Sequence, residues 1–290
     1  TTNIPESVVP RMGTLADVQV LSITVADADV FLGVGGVLTE DNGQFGVSTA
    51  AGAVGFLVDG ASFSMLSYDN ATVSAFGAPG YTRVLSVTAG VDRAALIGVP
   101  GLDLRASGEV ELYSITTSAQ VLDAQGNEVK LPSGESVVVD ATVNTLHVQG
   151  SAALNLGEGV LVAAVNDFRL DMFNGAVTTN IPESVVPRMG TLADVEVLSI
   201  TVADADLFLG VGGVLTEENG QFGVSTAAGA VGFLVQGAAF SMLSYDNATV
   251  SAFGLPGYTR VLSVSASLER AALIGVPGLD LRASGAVELY

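Results

Sequence analysis

The chain contains no cysteine, no tryptophan, a single histidine (His147) and a single lysine (Lys130). Without thiols, disulfide scaffolds, cysteine nucleophiles and cysteine-ligated zinc are excluded together, so durability must come from packing. One histidine leaves no material for a histidine-rich metal site and argues against hydrolytic triads. Apolar runs are broken by Gly, Ser or Asp well short of the roughly 18–20 residues a membrane-spanning helix needs. Neither such a helix nor a signal peptide is expected, and no membrane insertion. Positive charge is scarce: 10 basic against 30 acidic residues give a net charge of −20. Nucleic acid is therefore not an expected partner, because phosphate binding needs clustered positive charge. So acidic a chain repels its own copies unless salt or divalent cations screen it, which makes high ionic strength or calcium its natural setting.

What is present in quantity is small and apolar. Hydrophobic residues make up 49% of the 290, aromatics only 6%, and there are 35 glycines. An interior of Ala, Val, Leu and Gly must pack many small side chains at short spacing, which suits stacked sheets. Residues 1–113 return as 178–290, differing at 11 of 113 aligned positions; Gln19 becomes Glu196, Val30 becomes Leu207, Asp41 becomes Glu218 and Ala78 becomes Leu255. The chain is read as one complete unit, 1–177, followed by a second, incomplete unit, 178–290, and as a window on a longer tandem array.

Alternation with period two dominates, which is the pattern of strands. Leu102, Leu104, Ala106, Gly108, Val110 and Leu112 fall on one face, and Asp103, Arg105, Ser107, Glu109 and Glu111 on the other. The same holds from Leu146 to Leu156, where His147 alternates with apolar neighbours toward a polar face. Val18–Leu32 and Gly52–Leu66 are apolar on both faces, so they are expected to be covered on both sides and to form an inner layer. Turn signals separate these runs, among them Asp41-Asn42-Gly43, Val99-Pro100-Gly101, Pro132-Ser133-Gly134, Gly157-Glu158-Gly159 and Asn174-Gly175. No stretch has a helical period. The expected fold is all-β: an elongated tandem-repeat array, with a β-solenoid preferred over β-sandwich modules laid end to end.

Asp27 and Asp29, repeated as Asp204 and Asp206, lie two apart on a strand and point to one face. Two carboxylates begin a hard-cation site, and calcium is the ion such a pair would take; the competing reading is a solvated acidic face. Asn70 and Asn247 each open an Asn-Ala-Thr acceptor for N-glycosylation at a turn. Gly33-Val34-Gly35-Gly36 lacks the third glycine of a dinucleotide fingerprint and reads as a bend or bulge. Tyr68, Phe76 and Tyr81 with their copies are the one aromatic cluster that would suit a binding surface. Carboxylate-only catalysis needs a convergent acid pair, and none is evident, so no enzyme is expected.

The blocks SITVADADVFLGVGG, AGAVGFLVDGASFSML and YTRVLSVTAGVDRAALIGVPGLDLRASGEVELY resemble the long tandem repeats of very large bacterial secreted or cell-surface, adhesin-like proteins. The resemblance implies an extended extracellular stalk or fibre, sometimes stiffened by calcium. It carries no functional residue over to this chain. The expected function is a non-enzymatic structural repeat protein of the cell surface or extracellular space, whose partner is itself through adjacent repeats or lateral assembly. The alternative is a cell-surface adhesin or module that binds surface glycans.

Overall fold

The computed structural model describes residues 19–69, 80–120, 125, 127–134, 138–178, 191–246 and 260–289. These form one ten-stranded sheet in sequence order, every strand antiparallel to the next. The strands are β1 (Gln19–Asp41), β2 (Gln44–Asp69), β3 (Gly80–Ile97), β4 (Leu102–Gln120), β5 (Val138–Leu156), β6 (Leu161–Thr178), β7 (Thr191–Glu218), β8 (Gln221–Asp246), β9 (Arg260–Ile274) and β10 (Leu281–Leu289). The all-β expectation holds, and no helix is present among the described residues. The stacked rungs of a solenoid and the paired sheets of a sandwich are not among the described pairings. Neighbouring strands are instead joined edge to edge in one open meander. The small residues that suggested tight rungs serve this sheet differently, as close cross-strand contacts and bulges within strands of up to 28 residues.

Local sequence accounts for the turns. Asn42 and Gly43 both take positive φ, 50° and 82°, between the pairing Asp41↔Gln44. That is the geometry of a two-residue hairpin turn whose twist matches its strands, and Asn-Gly tolerates it at low cost. Val99-Pro100-Gly101 closes with a hydrogen bond from Leu102 N–H to Val99 O of 3.1 Å. The expected turn at Asn174-Gly175 is absent: both residues lie inside β6 and pair with Glu196 and Val195, and the irregularity comes just beyond, between Gly175 and Val177. A long partner strand satisfies their backbone groups and overrides the local turn preference. Gly33-Val34-Gly35-Gly36 does form a bulge, with a register shift between Val34 and Gly36.

The alternating faces are in register across β4 and β5. Leu104, Ala106, Gly108 and Val110 sit opposite Leu154, Ala152, Gly150 and Val148, while Ser107, Glu109 and Glu111 sit opposite Ser151, Gln149 and His147. One face of the sheet thus carries an apolar groove of about 420 Å³ lined by Phe56, Val58, Val110, Val148 and Phe168 among others. The other carries a polar groove of about 580 Å³ that includes Asp92, Glu109, Gln149, Asn166 and Asp167. The expected inner layer is only half right. In β1, Leu21, Val25 and Leu32 are exposed, because β1 is the first strand of the sheet and pairs with β2 alone among the described residues. The corresponding strand β7 has a neighbour on each side, and the main buried cluster lies around it, from β5 to β8.

Candidate functional site

The two units meet where β6 of the first pairs with β7 of the second, from Leu161↔Leu209 to Val177↔Leu192. Beyond the end of that ladder the backbone contact continues. Gly210 N–H donates to Val160 O and Gly213 N–H to Gly159 O, both at 2.9 Å. Gly159 has φ +95°, and a Cβ there would lie 2.2 Å from Gly213 O. Glycine is therefore required at this crossing, both for the left-handed backbone and for the approach.

The tip of the β7–β8 hairpin packs across the first unit. The shift between the pairings Val211↔Val231 and Gly213↔Thr226 places three more residues on β8 than on β7, so the hairpin bends there. Phe222 and Val224 come down beside Val162 and Ala164 of β6 and Ala153 of β5, in one buried cluster with Phe208, Ala230 and Leu234. Phe208 is fully buried, its ring over the facing pair Gly210 and Gly232. A large ring over two adjacent glycines covers backbone that no side chain of their own would shield. Buried aromatic area of this kind dominates core energetics, and among the described residues the main buried cluster sits at the boundary between units.

Polar groups fix the same joint. The side chain of Asn166 reads the backbone of Phe222 as a strand would: its Oδ1 accepts from Phe222 N–H and its Nδ2 donates to Phe222 O, both at 2.7 Å. Nδ2 also donates to Asp204 Oδ2 at 3.1 Å. Asn166 stands at a bulge, since Gly150↔Phe168 is followed by Ala152↔Val165. On the rim, Arg105 of β4 donates to Asp103 and, at 2.7 Å, to Glu217 near the hairpin tip. Its hydrogen bonds to Asp103 first, and also to Glu217, hold the guanidinium above its usual pKa, against the opposing effect of burial.

The sequence-singled aspartates lie at bulges. Asp27 and Asp204 have positive φ, 55° and 52°, where β1 and β7 shift register. Asp27 and Asp29 do reach the rim of one groove, with Thr39 and Asp41. The Asp29 oxygens, however, accept backbone hydrogen bonds from Gly60 at 3.2 Å and Val47 at 3.3 Å. Those bonds, Gly60 first, hold its carboxyl below the ordinary carboxylate pKa. Asp59 is pushed up, by desolvation and then by its hydrogen bond to and charge repulsion from Asp29. In the second unit Asp206 Oδ1 accepts from Gly237 N–H at 3.0 Å. Asp29 and Asp206 thus act as acceptors that brace the bulges, and among the described residues no group of three or more His, Asp or Glu side chains is placed to hold a metal ion. Asn70, Asn247 and Phe76 lie outside the described residues, as do the side chains of Tyr68 and Tyr81.

His147 sits on the polar face with Asp171 at Nδ1 and Gln149 Oε1 3.3 Å from Nε2. Burial lowers its pKa, but the hydrogen bonds to Asp171 and Gln149 with the Asp171 charge outweigh it, and the net shift is upward.

Asn166 and Phe222 carried no expectation from the sequence, and Arg105 only a place on a polar strand face. The register places Leu161, Ala163 and Val165 on the face of Phe168, Leu170 and Met172, which marks an inserted residue at Asn166-Asp167, but the run Leu161–Val165 is apolar at every position and hides this in the sequence. No protein-family model, curated protein or solved structure matches the chain.

Proposed function

We propose that this is a non-enzymatic structural repeat protein that forms an extracellular or cell-surface fibre, stalk or layer, and that it lengthens by extending one sheet from unit to unit. The observation that carries the reading is the joint: β6 and β7 pair across the unit boundary, and the main buried cluster straddles that boundary. Most interfaces between independent modules are smaller and more polar than their cores, whereas here the boundary is the core. Each added unit then buries apolar surface that its predecessor leaves open, as in other repeat arrays. Elongation by hairpins added at a sheet edge takes the place of the rung stacking considered from sequence.

The grooves support binding of glycans less well. The polar groove offers carboxylates, amides and hydroxyls but no aromatic side chain on which a sugar ring would stack. Electron microscopy of native material in calcium-containing buffer of high ionic strength tests the proposal, because a net charge of −20 must be screened before copies approach. Filaments or rods with an axial period assignable to the 177-residue unit are expected. Isolated compact particles under the same conditions would overturn it in favour of a binding module.

A further inference from the structure

We infer that the open edge of β1, together with the tip of the β1–β2 hairpin, is a docking site for a second copy of β6 and its preceding turn, Gly157–Asn174, supplied by another repeat. The inference names the partner of the array joint; it rests on that reading for its use in the organism, but its geometry stands on strand register alone.

β1 repeats β7 almost residue for residue, with Gln19 for Glu196, Val30 for Leu207 and Asp41 for Glu218 as the changes. What differs is the neighbour. Val20 is 58% exposed where Val197 is 4%, and Phe45 is 69% exposed where Phe222 is 7%. Subtracting the 177-residue repeat from the β6–β7 register gives the pairing the open edge is built for. Leu161 would face Leu32, Phe168 would face Val25, Leu170 would face Ile23 and Met172 would face Leu21. Gly33 and Gly36 would donate to carbonyls Val160 and Gly159, as Gly210 and Gly213 do. The incoming Asn would fork onto the backbone of Phe45 and reach Asp27, as Asn166 does with Phe222 and Asp204.

An open strand edge accepts many strands, so selectivity must come from side chains and register. Here the flip of apolar parity in β6 matches the bulge in β1 at Asp27, and a strand without that inserted residue would turn its apolar side chains to the wrong face beyond it. This disfavours β10, the other strand with a single neighbour among the described residues, as the occupant. β10 repeats β4, whose partner in the sheet is β5, so β10 and β1 call for different strands. Addition of a strand to a sheet edge, with backbone bonds for affinity and alternate side chains for specificity, is an established mode of recognition.

The test is a fluorescein-labelled Gly157–Asn174 peptide added to the full 290-residue chain, read by anisotropy and by amide hydrogen exchange. Saturable binding is expected, with slowed exchange confined to Val20–Gly36 and the neighbourhood of Phe45. Peptide N166A should bind roughly tenfold or more weakly, the cost of leaving paired backbone groups unmet. F45A in the chain should also weaken binding, and Phe45 is exposed enough that the variant keeps its fold. A second chain, with residues 114–177 repeated ahead of Thr1, bypasses peptide solubility: β1 exchange should slow without any peptide, and added peptide should not bind. Unchanged β1 exchange in that longer chain, protection at β10 instead, or equal binding of a scrambled peptide would each overturn the inference. Peptide binding without filaments would sink the fibre reading alone; filaments without β1 protection would sink this one.

Discussion

The hairpins β1–β2 and β7–β8 share nearly the same sequence and the same bulges, yet Phe31 is half-buried and Phe208 fully buried. The strand that lies beside them makes the difference. β7 has β6 on its outer side, and the β7–β8 tip rests on β5 and β6; β1 has β2 alone among the described residues. An identical apolar pattern thus specifies a core only where a complementary strand is in reach. The pattern describes a capacity to be buried, and the neighbour realises it.

Truncating the same residue in the two hairpins should separate them most widely. Phe222→Ala should cost about 3–5 kcal/mol, the range for a buried aromatic, whereas Phe45→Ala should stay within about 0.5 kcal/mol. Urea unfolding of both variants measures this, and equal losses would show that the hairpins are not distinguished by burial. Asn166→Ala comes next, at about 1–3 kcal/mol, because it strands the Phe222 N–H and carbonyl. Hydrogen exchange should place its effect on the β7–β8 tip and leave the β1–β2 tip unchanged.

Arg105→Ala, which breaks a partly exposed bridge between units, should cost about 0–1 kcal/mol and lose its effect in high salt. Arg282→Ala, whose counterpart bridge reaches only Asp280, should cost less, and thermal melts at low and high salt compare the two. His147 tests the region between the hairpins. Its pKa is raised in the fold, so its contribution is fully present below the unfolded value of about 6.5 and is lost as pH rises through the folded value. A stability profile from pH 5 to 9 should fall over that window, and His147→Gln should flatten it.

The smallest expected effect uses a natural difference between the copies. Asp59 in the first hairpin stands where the second has Gln236. Its pKa is raised by desolvation and by Asp29, so the strain of ionising it appears as pH rises through its folded value and is absent in acid. Asp59→Gln should therefore stabilise the β1–β2 hairpin slightly at pH 7, and the advantage should vanish below about pH 4. Asp29 has the opposite sign: its lowered pKa makes its bracing contribution present above about pH 4 and lost as pH falls through the folded value.

Much of the local structure was legible. The two-residue turn at Asn42-Gly43, the bulge at Gly33–Gly36 and the opposed faces of β4 and β5 all follow from neighbours in sequence. The turn expected at Asn174-Gly175 failed because a long partner strand outweighed a dipeptide preference. Asp29 was legible as one member of an acidic pair with Asp27, but not as the acceptor for the backbone of Val47 and Gly60, groups that lie 18 and 31 residues away from it in the chain.

By itself the sequence determined strands, the Asn42-Gly43 turn, the bulge at Gly33–Gly36 and a repeat of 177 residues, because these follow from side-chain alternation, local backbone preference or the recurrence of the sequence itself. Tertiary structure alone decided which of two like hairpins is buried, that Asn166 binds the backbone of Phe222, and that the units join through their core. Those outcomes depend on which strand lies alongside. Edge-to-edge pairing brings together residues far apart in the chain, and alternation is blind to the identity of the neighbour.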